Sequence, residues 1–231
     1  MLPRVLEPEV MDTAEEASDY DAMDHSTVNR VFSEDWLTTW TVRNSEPAAG
    51  AAPTRLLDVG TGTALIPVEL ARRAPFVHIT GVDLAAEMLH LARRNIDRAE
   101  CGDRVAVELI DAKRLPYADG TFDSVVSNSI IHHIPEPHLS LAEMVRVLRP
   151  GGLLFVRDLF RPDSSAAVEQ FVRQYAGGES PRQQQLFRQS FHAALTPDEI
   201  AGLIEPLGLR RDSVRMTSDR HWTIAAWKPE A

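Results

Sequence analysis

LLDVGTGTALIPVEL, residues Leu56 to Leu70, sets apolar residues and an acid directly before a Gly-x-Gly turn and then resumes with helix-forming residues. That order predicts a strand, a tight turn and a helix, the junction over which doubly wound sheets bind ligands at the carboxyl ends of their strands. Gly60 and Gly62 permit the φ values of a tight turn and let a ligand approach the backbone. A helix beginning near Ala64 directs its free N–H groups at the same place.

Outward from this junction the chain alternates. Strands are predicted over 56–59, 77–82, 105–110, 124–127 and 153–157, with helices over 64–73, 85–98 and 138–148 between them. Such alternation indicates an α/β fold with a parallel sheet covered by helices on both faces. Beyond the fifth strand come two inserted helices, 164–177 and 182–194, then a helix over 198–207 opened by Thr196-Pro197-Asp198-Glu199. The segments 209–216 and 221–227 form a β-hairpin.

Before the junction, 11–42 is helical and acidic, with Phe32, Trp36 and Trp40 spaced by four. Either this stripe docks on the core or the segment forms a lid over a substrate. NSEPAAGAAPTR, 44–55, has the composition of a linker. The expected organisation is therefore a helical lid or cap over 1–43 and a ligand-binding domain over 44–231, with a helical insertion at about 162–195.

The 231 residues, 44% hydrophobic and 25% charged, suit one globular core. No apolar run approaches the roughly 20 residues of a membrane span. The acidic start lacks the basic and apolar regions of a secretory signal, and a cytoplasmic location is expected. A net charge of −10, with Lys113 and Lys228 the only lysines, leaves no basic patch for nucleic acid. Cys101 stands alone, without a disulfide partner or zinc spacing.

The acids narrow the ligand. Asp83 closes the second strand 21 positions after Gly62, where a carboxylate accepts both hydroxyls of a ribose. A nicotinamide dinucleotide needs a third small residue where its pyrophosphate meets the helix, and Leu65 stands there. Asp58 would repel a pyrophosphate but attract an ammonium group. No Gly-Lys-Ser/Thr follows the turn, which excludes a Walker-type phosphate loop.

Leu56-Leu57-Asp58-Val59-Gly60-Thr61-Gly62-Thr63, Gly81-Val82-Asp83, Asp111-Ala112, Phe122-Asp123-Ser124-Val125-Val126-Ser127-Asn128 and Leu148-Arg149-Pro150-Gly151-Gly152 follow one another in order. Together they resemble the class I S-adenosylmethionine-dependent methyltransferases, most closely the bacterial small-molecule branch around the ubiquinone/menaquinone methyltransferases. The resemblance covers about residues 55–158 and the terminal hairpin. It implies a Rossmann-like seven-stranded sheet, mostly parallel with an antiparallel last strand. It also implies roles: Gly60 and Gly62 against the methionine part of S-adenosylmethionine, Asp58 near its amino group, and Asp83 on the ribose. Leu84 and Met88 would flank the adenine, Asp111 and the Ala112 backbone would read it, and Ser127 and Asn128 would line the methyl-transfer side.

Methyl transfer from a sulfonium is an in-line displacement in which orientation supplies much of the rate. Where the acceptor must lose a proton, histidine is the expected base, and His132 and His133 follow the fourth strand. Arg157 and Arg161 are candidate clamps for an anionic group, unless they pair with Asp158 or another nearby acid. Tyr20 and His25 from the N-terminal segment, with Arg220 and His221 from the hairpin tip, are further substrate candidates.

The chain lacks the Asn/Asp-Pro-Pro-Tyr of adenine-amino and glutamine methyltransferases, having Ser127-Asn128-Ser129-Ile130 there. The metal-dependent catechol branch expects an acid after the fourth strand and an Asp-Asn pair after the fifth. Ser127-Asn128 and Arg157-Asp158 stand in those places, so no metal is expected. The expected protein is a monomer or homodimer acting on a small molecule without nucleic acid. Rival readings are other chemistry with the same cofactor, NAD binding, or an inactive cofactor-binding partner subunit.

Overall fold

The structure, a computed structural model, describes residues 2–10, 12–44 and 51–230. Most of the predicted linker, 45–50, lies outside the described residues.

Strands β1 (Thr54–Val59), β2 (Val77–Asp83), β3 (Val105–Leu109), β4 (Phe122–Asn128), β5 (Leu148–Leu159), β6 (Val214–Met216) and β7 (His221–Trp227) form one sheet. Its order is β3-β2-β1-β4-β5-β7-β6. The first five strands pair in parallel, and β7 runs antiparallel to both β5 and β6. The strand order reverses between β1 and β4, so the crevice over their carboxyl ends is the topological switch point.

Helices α3 (Leu65–Arg73), α4 (Ala86–Arg98), α5 (Pro137–Val147) and α8 (Pro197–Ile204) join α2 (Ser26–Thr41) in covering the two faces. Successive strand side chains point to opposite faces, yet Leu56 and Leu57 are both fully buried, as expected of a sheet packed on both sides. Leu57, Val125 and Trp222 pack with α5 and α8, whereas Leu56, Val126 and Phe155 pack with α2, α3 and α4. Two further helices, α6 (Ser165–Ala176) and α7 (Pro181–Ala193), make a satellite core around Val168, Val172 and Phe191.

The aromatic stripe of α2 belongs to the core. Phe32, Trp36 and Trp40 are buried, and the Trp36 indole N–H donates to Ser124 Oγ at 3.0 Å. Ser124 in turn donates to the Leu153 carbonyl, so the chain of polar groups is satisfied across β4 and β5. The predicted N-terminal helical segment divides at residues 23–25 into α2 and a shorter helix, α1 (Ala14–Ala22). Thr13 and Glu16 cap the start of α1 reciprocally, and Asp24 accepts from the Ser26 N–H at the start of α2.

Among the strands, the boundaries of β5 and β6 differ most from the sequence expectation. β5 begins at Leu148, which pairs with Phe122; residues 149–152 then bulge from the ladder before Leu153 pairs with Ser124, and the backbone of Gly151 and Gly152 bonds to Lys228 instead. β6 is confined to three residues, since a 3-10 turn over Arg211–Ser213 takes up the chain before it. Among the described residues no helix is long and apolar enough to cross a membrane.

Candidate active site

The backbone of the β1–α3 turn is held in a conformation that side chains oppose. Gly60, Gly62 and Ala64 adopt φ values of 75°, 54° and 60°. The Gly60 and Thr61 N–H groups donate to the Val82 carbonyl, locking the turn onto β2. A Cβ on Gly60 would stand 2.1 Å from Ile130 Cγ2, so this position needs glycine for space as well as for φ. On Gly62 the nearest atom would be Tyr20 Cε1 at 3.9 Å, on the far side of the cavity that the turn borders.

That cavity, of about 140 Å³, runs over the carboxyl ends of β1, β2 and β4. Asp83 lines it. Its Oδ2 accepts from Gly62 N–H at 2.8 Å and its Oδ1 from Ala85 N–H at 2.9 Å. Burial pushes the Asp83 carboxyl up, and these backbone donors oppose the shift. Beyond it Leu84, Met88, Ile110 and Ala112 form an apolar slot. Asp111 lies at the slot's outer end, accepting from Lys113 N–H at 2.9 Å and pairing with its ammonium at 3.1 Å. Toward β4 the wall is Asn128, Ser129, Ile130, His133 and Ile134.

Several predicted residues lie elsewhere. Asp58 is buried behind the turn; burial pushes its carboxyl up to about 7, the Thr61 hydroxyl opposing and Asp83 adding to the rise. Ser127 donates to the Val59 carbonyl at 2.8 Å and serves the sheet. Arg157 is buried, donating to Thr223 Oγ1 and pairing with Asp35 Oδ2 at 2.6 Å. Arg161 pairs with Glu199 at 2.6 Å and donates to the Ala194 carbonyl. Neither arginine lines the cavity: each is paired with an acid, Asp35 or Glu199, so of the two readings that the sequence left open the ion pair holds in place of the anion clamp. Arg220 stacks on Tyr175, and His221 bonds to Ser218 Oγ, both at the hairpin tip and away from the cavity wall. Tyr20 does reach the cavity, while His25 stacks behind it with ring centroids 4.5 Å apart. Burial, with Asp83 next, pushes the Tyr20 phenol up to about 12.

The two histidines separate. The pleat of β5 sends Arg157 and Asp158 to opposite faces, and Asp158 meets His132. His132 Nδ1–H donates to Asp158 Oδ1 at 2.5 Å, and the His132 backbone N–H donates to Asp158 Oδ2. Burial opposes charging either group, but their mutual attraction prevails, raising His132 and lowering Asp158. His133 is the histidine on the cavity wall. Burial and the neighbouring His132 lower its imidazole to about 3, so it is neutral at pH 7.

Motif spacing gives no sign of the strap formed by residues 2–10. Arg4 donates to the carbonyls of Ala193, Ile134 and His132 at 2.7, 3.0 and 3.2 Å, and Val5 N–H donates to the His192 carbonyl. Glu7 is buried against His132 and His133, burial raising its carboxyl while His132 and Ser190 oppose the shift. Glu9 pairs with Lys113, and Glu9, Val10 and Tyr20 roof the cavity.

The family described as "Methyltransferase domain" matches residues 57–156. A demethylmenaquinone methyltransferase of Deinococcus radiodurans is 37% identical over 158 residues, 68% of this chain and 64% of that protein. This chain therefore matches less than two thirds of that relative's length. A 27-O-demethylrifamycin SV methyltransferase of Amycolatopsis mediterranei is 31% identical over 193 residues, covering 80% of this chain and 67% of the other. The crystal structure of a SAM-dependent methyltransferase from Aquifex aeolicus superposes with a TM-score of 0.65 over 93% of this chain and 98% of that one. At 18% identity that likeness speaks for the fold.

Proposed function

The chain belongs to the class I S-adenosylmethionine-dependent methyltransferases, and from that premise we propose that it transfers a methyl group from S-adenosylmethionine to a small-molecule acceptor. The observation that carries this reading is the convergence of the Gly60–Gly62 turn, Asp83, the apolar slot and Asp111 on one cavity. Their order matches the ligand: a backbone cradle, an acceptor for ribose hydroxyls, apolar walls for a flat base, and an acceptor at its amino edge. A nicotinamide dinucleotide fits less well, since Leu65 opens α3 where a pyrophosphate would press.

When bound, S-adenosylmethionine supplies a sulfonium methyl group that leaves by in-line displacement. Gly60 and Gly62 keep the floor of the site free of side chains. Asp83 fixes the ribose, and Leu84 and Met88 hold the adenine between apolar surfaces. Asn128, Ser129, Ile130, His133 and Ile134 form the acceptor end. Holding the two reactants in line there supplies about 7–11 kcal/mol of the barrier, more than any single proton transfer. Neutral His133 contributes its ring to the wall at the acceptor end, while His132, locked to Asp158, fixes the turn that carries it.

The strap and α1 contribute Glu9, Val10 and Tyr20 to the cavity wall and so shield the site from water. Parallel titration with S-adenosylmethionine, S-adenosylhomocysteine and NAD tests the reading. Binding of the first two but not the third supports it, and binding of NAD alone overturns it.

A further inference from the structure

Glu7, His132 and His133 form a cluster for which methyl transfer gives no complete account. Glu7 comes from the strap, and the histidines come from the turn after β4. Glu7 Oε1 lies 3.2 Å from His133 Nδ1 and 3.5 Å from His132 Nε2. The Glu7 side chain is only 7% exposed, yet neither its Oε1 nor His133 Nδ1 has a hydrogen-bond partner. Buried polar atoms left unpaired are costly, and two of them facing each other call for a group between them.

The spacing indicates which group. The three donor atoms lie within 4.8 Å of one another. Two ligands held at about 2.1 Å by a tetrahedral ion stand about 3.4 Å apart, close to both distances above. The donor set, two imidazoles and a carboxylate, suits a divalent transition metal such as zinc. His132 also has the outer partner that metal-bound histidines show: its other ring nitrogen is tied to a buried carboxylate, Asp158.

We propose that Glu7, His132 and His133 form a divalent transition-metal site of the zinc class beside the acceptor end of the cavity, with Asp158 orienting His132. The rings of His132 and His133 stand with centroids 4.1 Å apart and planes 35° apart, so the more exposed His133 ring turns to bring its nitrogen onto the ion. The charges of Glu7 and Asp158 balance the ion. Arg4, the nearby cation, is held on the carbonyls of His132, Ile134 and Ala193.

Three protein ligands leave a fourth position open, the pattern of catalytic rather than closed structural zinc sites. His133 borders the cavity, so an acceptor oxygen, hydroxyl or carbonyl, is the group to fill that position. This last step rests on the methyl-transfer reading, whereas ion binding itself does not. The sequence argument against a metal concerned residues after β4 and β5 and did not include Glu7, more than a hundred residues away in the chain.

The test uses full-length, tag-free protein stripped with a chelator, titrated calorimetrically with Zn²⁺ and followed spectroscopically with Co²⁺. The expected result is one equivalent bound, with the visible bands of tetrahedral cobalt. Glu7→Gln, which preserves side-chain shape, and His133→Ala should each weaken binding by at least about tenfold. His78→Ala, at an exposed histidine on β2, should leave it unchanged. No binding by the unmodified protein, or binding indifferent to both cluster variants, overturns the site. Titrating the same preparations with S-adenosylmethionine separates the two proposals: ion binding without cofactor binding removes only the methyltransferase reading, and the converse removes only the metal site.

Discussion

Asp83→Asn is the substitution whose consequences the geometry defines best. The native carboxylate already accepts from two backbone donors, Gly62 N–H at 2.8 Å and Ala85 N–H at 2.9 Å. The residue also lines the cavity, where a ribose would meet it. Asparagine has the same shape but one acceptor oxygen and no charge, so its NH2 group must confront either a backbone N–H or the ribose. Hydrogen bonds to a charged group contribute about 1.5–3 kcal/mol. Losing them weakens binding about 10- to 150-fold.

Because the ribose is common to both ligands, the dissociation constants of S-adenosylmethionine and S-adenosylhomocysteine should rise by the same factor in isothermal titration. The unliganded protein should melt a few degrees lower, at about 2–4 °C per kcal/mol for a chain of this size, as the turn loses one of its acceptors. Affinities within twofold of the parent, accompanied by that fall in Tm, would refute the assignment. Asp83 would then serve the turn alone.

Gly60→Ala should be more damaging: its Cβ would enter the β-branched Ile130 side chain at 2.1 Å in a left-handed backbone conformation. Loss of soluble protein or of cofactor binding is expected, and near-parental Tm and affinity would contradict the packing. Asp58 gives a pH dependence. Its folded pKa, about 7, lies above the ordinary 3.8, so the stability it contributes is complete below about pH 4 and lost as pH rises through 7. Asp58→Asn should therefore gain stability relative to the parent between pH 5 and pH 8, by about 2–3 kcal/mol, in denaturant titrations at the two pH values. A constant difference would count against the buried carboxyl. Arg157→Leu should lower Tm by breaking the pair with Asp35 while cofactor affinity stays within about twofold, and an affinity loss without destabilisation would restore it to the site.

The features read correctly from sequence are local ones. The Gly-x-Gly turn, the acid ending β2 and the cap before α8 are each decided within a few residues, and the strands of a doubly buried sheet declare themselves as short apolar runs. Asp111, Ala112, Leu84 and Met88 come only from the family resemblance, and the structure brings them to one cavity. Arg157 was misplaced because the end of β5 was set too early. The strand continues to Leu159, which leaves Arg157 inside the sheet with its side chain turned toward α2. The strap could not be read at all. Its contacts join residues 4–9 to partners such as Lys113, His132 and Ala193, and no periodicity or spacing encodes a meeting across such separations.

The position of β7 bears on how the protein is made. The strand that pairs along β5 from Leu153 to Leu159 is formed by residues 221–227, more than sixty residues later in the chain. While the ribosome is still producing the intervening helices, β5 has an open row of backbone donors and acceptors and an apolar run, Leu153–Val156, that is fully covered only in the finished sheet. Such an edge is a template for pairing with another chain. The nascent protein is therefore vulnerable to aggregation until its last strand slots between β5 and β6, and chaperones that bind extended apolar segments should engage it in that interval.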